Sequence, residues 1–502
     1  MTSLVANKKE TWLRAVTAAV AIVVVALLTF VPPSTNDLWL HAAIGRIIWT
    51  QGEIPHTALF PFTEASQYTF HAHEWLSSVG LYLLLDHLGI DALVFVKGIL
   101  GLALFGLCCR LSYRLTRGYT ASLVLSLAVM AVANYRYYLR PELFALFFTV
   151  AVLSLLVEYR ASRNWRYLAA CAPVALVWAN CHGSFPVALA IAAIFACGAA
   201  IEGLRAPPGA RLREAAVAAR PYVICTALMA LAMLVNPYGL NLYRFAWDLQ
   251  NTTFIRSYIY EWMPTFSHPF MDSRGFWAFV VYLALGGTVL YAGRKSVTPA
   301  GWLLLLAFGY LALGAQRHIA FFAFASIYPL SMAIAPLASR IERTPLVRGG
   351  ILALLTGCAG LLVGFGNLYG GFPYYVPSSY FSPLLVEYLE NDRVRGNVLN
   401  SYVLGAELVY RFYPRLRPAI DSRIDVYGEK YFVDLLRLNT DERALEQFVT
   451  RYRVDYMLLL WRDFNEGVQR MPHIRDSGWR IVFADQKVVL LGRPGSTAVA
   501  PR

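Results

Sequence analysis

The chain has 502 residues, 58% of them hydrophobic and only 15% charged, with a formal net charge of +13 and a mean hydropathy of +0.49. That composition excludes an ordinary soluble globule and indicates a polytopic membrane protein. Residues 375–502 carry 18 Lys+Arg against 16 Asp+Glu, leaving 26 against 15 in the first 374, so the basic excess sits in short loops between apolar segments, where it sets orientation and does not build a nucleic-acid-binding tail.

Lys8, Lys9 and Arg14 precede an apolar run that ends at Val31. Val31-Pro32-Pro33 is a poor small-residue cleavage site, so the run reads as an uncleaved first span, 12–31. A long polar loop follows. It opens with Asn36-Asp37-Leu38-Trp39-Leu40-His41 and closes with His71-Ala72-His73-Glu74-Trp75. The sequence predicts a helix over 37–49 with Asn36 as its cap. Residues 75–88 are apolar but short and carry Asp86-His87, which predicts an amphipathic surface helix and not a span. Further spans are expected near 91–109, 119–134, 142–158, 167–180, 185–201, 220–235, 275–291, 300–315, 318–337 and 350–368, about eleven in all. With this assignment one set of loops holds eighteen Lys and Arg and the opposite set seven. The richer set belongs in the cytoplasm. The N-terminus is then inside, and the loops at 32–90, 134–141, 180–184, 236–274 and 316–318 are outside, in a cell (inner) membrane.

After Gly370-Gly371-Phe372-Pro373 the pattern changes. Short β-like runs at 397–400, 418–421, 454–460, 479–484 and 488–492 alternate with helical runs at 405–413 and 441–452. That is a small α/β domain with its own core. The expected organisation is an all-α transmembrane domain, 1–370, whose outer loop 32–90 carries surface helices, followed by an extracytoplasmic α/β domain, 375–495. All seven cysteines lie in or beside apolar segments, so no disulfide framework and no CxxC spacing is present.

Asp37 and His41 are four apart on one helix face. A carboxylate there suits a general base or a cation beside a phosphate. The plainer reading is an acid at the positive end of a helix. His73 and Glu74 close the same loop and could complete an acid–base pair or a metal site, or form only a polar cluster before the surface helix, which is the reading His71 favours. Arg136, Arg140, His182, Arg256, Arg317 and His318 lie at the outer ends of spans. Charges there ordinarily snorkel or pair, whereas converging arginines would suit a phosphate head group. Arg317 is the foremost candidate, because so short a connection gives it little other reason to be charged. Asp421-Ser422-Arg423-Ile424-Asp425 follows an expected strand and reads as a turn with a local ion pair, with a weaker claim to acceptor contact.

The first span, the long outer loop with Asp37 just past it, the helix-forming segment from Leu38 to Trp49 and the Gly52-Glu53-Ile54-Pro55 turn resemble the GT-C superfamily of membrane glycosyltransferases, such as the protein O-mannosyltransferases and the aminoarabinose transferases of lipid A. The resemblance covers the whole architecture, with its specific motif confined to 37–75. It implies a polyprenyl-phosphate-linked sugar donor, an extracytoplasmic lipid, glycan or protein acceptor, and inversion at the sugar carbon. Asp37 would be the base, and outer arginines such as Arg317 and Arg140 would stabilise the lipid phosphate as it leaves. Many members carry two adjacent acids in this loop. Here Asp37 is followed by Leu38-Trp39, so Glu74 would have to be the second, and the need for a divalent metal ion is left open. Two other readings stand beside this one: a glycan polymerase or ligase of the same fold, and a transporter or flippase of an amphipathic solute. A transporter should hold its charges mid-span, where Lys97 is the clearest basic residue.

Overall fold

The computed structural model describes residues 2–31, 36–368, 379–471 and 476–495, without the side chains of 2–9 and 365–368. Pro32 and Pro33, the charged groups of Lys8 and Lys9, and the Gly370–Pro373 junction lie outside the described residues. The chain separates into two compact units: residues 1–32 with 91–375, and 33–90 with 376–502.

In chain order the helices of the first half are α1 (Thr2–Thr29), α2 (Asp37–Gln51), α3 (Trp75–Thr116), α4 (Tyr119–Ala133), α5 (Glu142–Ser162), α6 (Arg166–Cys181), α7 (Pro186–Gly203) and α8 (Arg211–Ala232). There follow α9 (Asn241–Asn251), α10 (Thr253–Tyr258), α11 (Arg274–Gly293), α12 (Pro299–Gly314), α13 (Ile319–Arg343) and α14 (Pro345–Leu368). Helical dihedrals are interrupted inside α3 at Gly89 (φ 76°, ψ 179°), a conformation that glycine alone adopts readily. Residues 75–88 and 90–116 are therefore two helices, as the amphipathic reading of 75–88 requires.

Each of the eleven expected apolar segments is helical. Among the described residues eight helices are long and apolar enough to cross a membrane. The 15-residue α4 and the 16-residue α6 and α12 fall short of the ~20 residues of a perpendicular crossing. This is a membrane protein. Its helical unit has two ends that differ in chemistry. At one end, the last turns of α5 and α7 are tied by Arg160 to Glu202 at 2.8 Å, α3 to α5 by Arg114 to Glu158 at 3.3 Å, and the start of α4 to the end of α13 by the Thr120 amide donating to Glu342. At the other end lie the connections 134–141, 236–273 and 316–318, joined to one another as described below. Alternate loops thus gather at alternate ends, which is the parity that the charge count demands. Lys97 is buried in α3 and donates to the Val31 carbonyl at 2.6 Å. A cation here satisfies an orphan carbonyl just past the end of α1, which explains the lysine structurally.

The second unit joins the first polar loop to a five-stranded sheet. Its strands are β1 (Gly396–Asn400), β2 (Leu416–Pro418), β3 (Val454–Leu460), β4 (Arg480–Ala484) and β5 (Val488–Gly492), in the order β2-β1-β3-β5-β4. The β2, β1 and β3 strands run parallel, and β5 and β4 pair antiparallel beyond β3. Helices α15 (Pro383–Glu390), α16 (Gly405–Phe412), α17 (Ile424–Arg437) and α18 (Glu442–Tyr452) flank it. Two apolar clusters form the core, one around Leu385, Leu408 and Leu458 and the other around Leu445, Met457 and Val489. The strand expected at 418–421 is shifted to 416–418, and just past its end the Asn400 side-chain Oδ1 accepts from the Ala419 amide at 2.9 Å.

The loop is strapped to the sheet domain through Arg423. Its guanidinium forms a two-pronged pair with Asp421, donates to the Ala58 carbonyl at 2.6 Å, and stacks on Phe60 and Phe70 at 4.8 and 4.6 Å. Arg417 donates to the Pro61 carbonyl, and Arg46 of α2 to the Tyr410 carbonyl. The Asp421–Arg423 turn is thus the local ion pair the sequence indicated, with a reach the sequence did not reveal. Arg423→Met is expected to leave a fully buried carboxylate without its cation and to destabilise the unit by ~3–5 kcal/mol. Thermal unfolding of the purified chain, with proteolysis mapped over 56–70, measures this. An unchanged melting profile would mean the strap carries no weight.

Candidate functional site

Asp37 is the first residue of α2. Asn36 stands at the cap position but is itself in helical conformation (φ −66°, ψ −27°) and makes no side-chain cap bond. The expected asparagine cap is therefore not formed, because the side-chain capping geometry needs an extended residue there. An acid in the first turn is what the helix dipole favours. One turn on, His41 faces the start of the 75–88 helix. Its Nε2 lies 3.3 Å from Glu74 Oε2, and its Nδ1 is 3.0 Å from Ser78 Oγ. His73 approaches the other Glu74 oxygen, Oε1, at 3.7 Å, and its Nδ1 meets the His71 carbonyl. Glu74 therefore sits between two imidazoles. The two segments come this close because Gly45 has no side chain: a Cβ there would lie 2.1 Å from the Ser78 carbonyl oxygen.

Asp425, in the first turn of α17, belongs to the same neighbourhood. The His71 imidazole is held below its usual range by burial, then by the charges of His73 and His56, while Asp425 pulls it up. Asp425 is an exposed residue, yet the protein crowded around its carboxyl raises it above the usual carboxylate range against the pull of His73. Asp425 is a residue that the sequence reading set aside as part of a turn.

In the helical unit the outer-end arginines converge. Arg136 is buried. It is paired with Glu142, and its Nη1 donates to Glu261 Oε2 at 2.5 Å. Arg140 Nη1 reaches the same oxygen at 3.0 Å, and Arg317 Nη1 reaches Glu261 Oε1 at 3.4 Å while its guanidinium lies 4.2 Å over the Trp262 ring. Burial alone would raise the Glu261 carboxyl, but Arg136, Arg317 and Arg140 hold it well below the usual range. The backbone on both sides of Glu261 is pinned by Gln316: its amide donates to the Met263 carbonyl at 3.1 Å, and its side chain donates to the Tyr260 carbonyl. Tyr135 in turn donates to the Gln316 carbonyl. His318 borders this knot, its Nδ1 3.2 Å from the Leu311 carbonyl and its ring 6.3 Å from Trp262.

Arg136, Arg140, Arg317 and His318 are thus brought together, as are His41, His73 and Glu74. Arg256 does not join the knot: it is exposed and donates to the Gln250 carbonyl. His182 is buried, its Nδ1 2.7 Å from Ser184 Oγ. Glu261, the organising counter-ion, was not singled out from the sequence. The available signal was an acid beside tryptophan in an outer loop.

No family model matches the chain, and no curated protein matches it in sequence. Solved structures do match it in fold. The archaeal oligosaccharyltransferase AglB from Archaeoglobus fulgidus, in complex with an inhibitory peptide and a dolichol-phosphate, aligns with a TM-score of 0.63 at 14% identity, over 90% of this chain and 70% of that one. ArnT from Cupriavidus metallidurans, bound to undecaprenyl phosphate, aligns with a TM-score of 0.53 at 12% identity, over 98% and 99%. The A. fulgidus oligosaccharyltransferase in complex with Zn and sulfate aligns with a TM-score of 0.58 at 13% identity, over 95% and 73%. Both proteins are GT-C membrane glycosyltransferases, and the fold of this chain is the one its first loop resembled. Among the described residues no three His, Cys, Asp or Glu side chains converge to hold a metal ion. The imidazoles of His41 and His73 face the Glu74 carboxylate itself, at 3.3 and 3.7 Å.

The cluster sets a measurable order of titration. His71 is expected to titrate below 6.5, and Asp425→Asn to lower it further by removing a charge that raises it. Because the unfolded imidazole binds protons more readily, this histidine makes stability rise with pH as the solution passes upward through about 6.5. Magnetic resonance of selectively labelled histidines in the full chain reads both effects. An upward shift in the Asp425 variant would contradict the arrangement.

Proposed function

We propose that this chain is a membrane glycosyltransferase that moves one sugar from a polyprenyl-phosphate carrier to an acceptor outside the cytoplasm. The observation that carries this reading is the convergence of Arg136, Arg140 and Arg317 at one end of a GT-C bundle. Three guanidinium groups set against two carboxylates leave surplus positive charge, and guanidinium binds phosphate oxygens in forked pairs. Two of the structures that share the fold hold a dolichol-phosphate and an undecaprenyl phosphate. The loop bias of eighteen basic residues against seven supports an arginine end, and a 33–90 loop, that face away from the cytoplasm.

An acceptor oxygen attacks the anomeric carbon opposite the phosphate, and its proton passes to a carboxylate. The carbon–oxygen bond to phosphate breaks with its electron pair, the sugar is inverted, and the arginines take up the growing phosphate charge. Asp37 is the base in this reading, and Glu74, oriented by His41 and His73, is the second acid of the loop. The acceptor is a lipid, a glycan or a protein.

Membranes containing the protein, given a panel of radiolabelled polyprenyl-phosphate sugars, test this. The wild type should transfer label, Asp37→Asn should lose about 10²–10⁴-fold in rate, and Arg317→Lys should raise the donor KM more than it lowers kcat. Equal transfer by Asp37→Asn would remove Asp37 from the mechanism. No transfer from any donor would sink the glycosyltransferase reading.

A further inference from the structure

The two carboxylates of the arginine knot are not equivalent. Glu142 is 4% exposed and pairs with the buried Arg136 alone, whereas Glu261 is 21% exposed and touches all three arginines. One oxygen of Glu261 faces Arg136 and Arg140 and the other faces Arg317. That is the position and the charge of a bound anion with two oxygens spread across three guanidinium groups. Glu142 serves as the permanent partner that keeps Arg136 from being a lone buried charge.

We propose that Glu261 is a resident counter-ion that fills the anion site in the absence of donor and is displaced by the phosphate of the lipid-linked donor. This deepens the glycosyltransferase reading and rests on it. With Glu261 in place the knot carries one net positive charge, and with Glu261 turned out it presents two to the phosphate. Because Gln316 pins the backbone at Tyr260 and Met263, exchange is a rotation of one side chain and not an opening of the loop. The Trp262 ring stays under Arg317 and keeps that guanidinium in place through the exchange. After sugar transfer the returning carboxylate competes with the spent carrier phosphate and speeds its release. Glu261 is thus a positioning residue that sets donor affinity, and it does not touch the reacting carbon.

Binding of undecaprenyl phosphate to the full chain in lipid nanodiscs tests this, comparing wild type, Glu261→Gln and Glu261→Asp, with inorganic phosphate as a parallel probe and thermal melting as the check on folding. Glu261→Gln is expected to bind undecaprenyl phosphate on the order of tenfold more tightly and to release it more slowly. Glu261→Asp, too short to span three arginines, should lie between the two and decides the matter if the glutamine variant does not fold. Binding that is unchanged or weaker in a folded Glu261 variant, with the wild type binding normally, overturns the exchange and leaves the donor-phosphate site standing. Undecaprenyl phosphate binding by neither wild type nor variants overturns the phosphate reading of the knot itself. A gain for inorganic phosphate without a gain for undecaprenyl phosphate overturns the lipid-linked occupant.

Discussion

The constraint on which the helical unit turns is the cost of placing Arg136 out of water. An isolated guanidinium inside protein is unaffordable, so its partners are dictated: Glu142, six residues on, and Glu261, brought from a distant loop. Meeting that demand pulls the 134–141 connection, the 236–273 loop and the 316–318 connection to one place. Gln316, Tyr135 and Trp262 then fasten the same three segments by hydrogen bonds and ring contact. The electrostatic need of one buried cation thereby organises one end of the bundle and gathers further arginines around the same carboxylate.

The second unit solves a similar problem by a different route. Arg423 is buried with Asp421 two residues away, so its charge is met locally. What remains of its donor capacity goes to a carbonyl in the first loop, and its flat faces go to Phe60 and Phe70. Between its helices, residues 52–74 thereby acquire a defined conformation around one short helical turn, Glu64–Gln67, and the Thr57–Thr69 bridge. That conformation carries His71, His73 and Glu74 against His41. Gly45 matters here in a way that no side-chain contact could report, since it allows α2 to approach the Ser78 backbone.

Much of the fold was legible in the amino-acid order. Apolar run length marks the helices, and the uneven arginines mark the two ends, because membrane burial leaves few other places for charge. Residues 456–460 and 488–491 of the strands are continuous apolar runs, as strands buried on both faces must be. The residues of the arginine knot were partly legible: Arg317 stood out because so short a connection gives a charge little reason to be there. Glu261 did not, because its partners Arg317, Arg140 and Arg136 lie 56, 121 and 125 residues away in the chain and no local pattern encodes pairing at that range. Asn36 misled for the opposite reason. Its type fits a cap, and only the backbone angle reveals that the bond is not made.

The strap at Arg423 sets a schedule for biosynthesis. Its carbonyl partner at Ala58 is made 365 residues earlier, and at ~5–20 residues per second that separation is on the order of twenty to seventy seconds of translation. Through that interval the helices of the first unit are laid into the membrane while the first loop, with its histidines and Glu74, waits for the sheet against which it folds. The earliest polar segment to be made is therefore among the last to acquire its structure, and during that wait it is a ready substrate for proteases and a client for chaperones on its side of the bilayer.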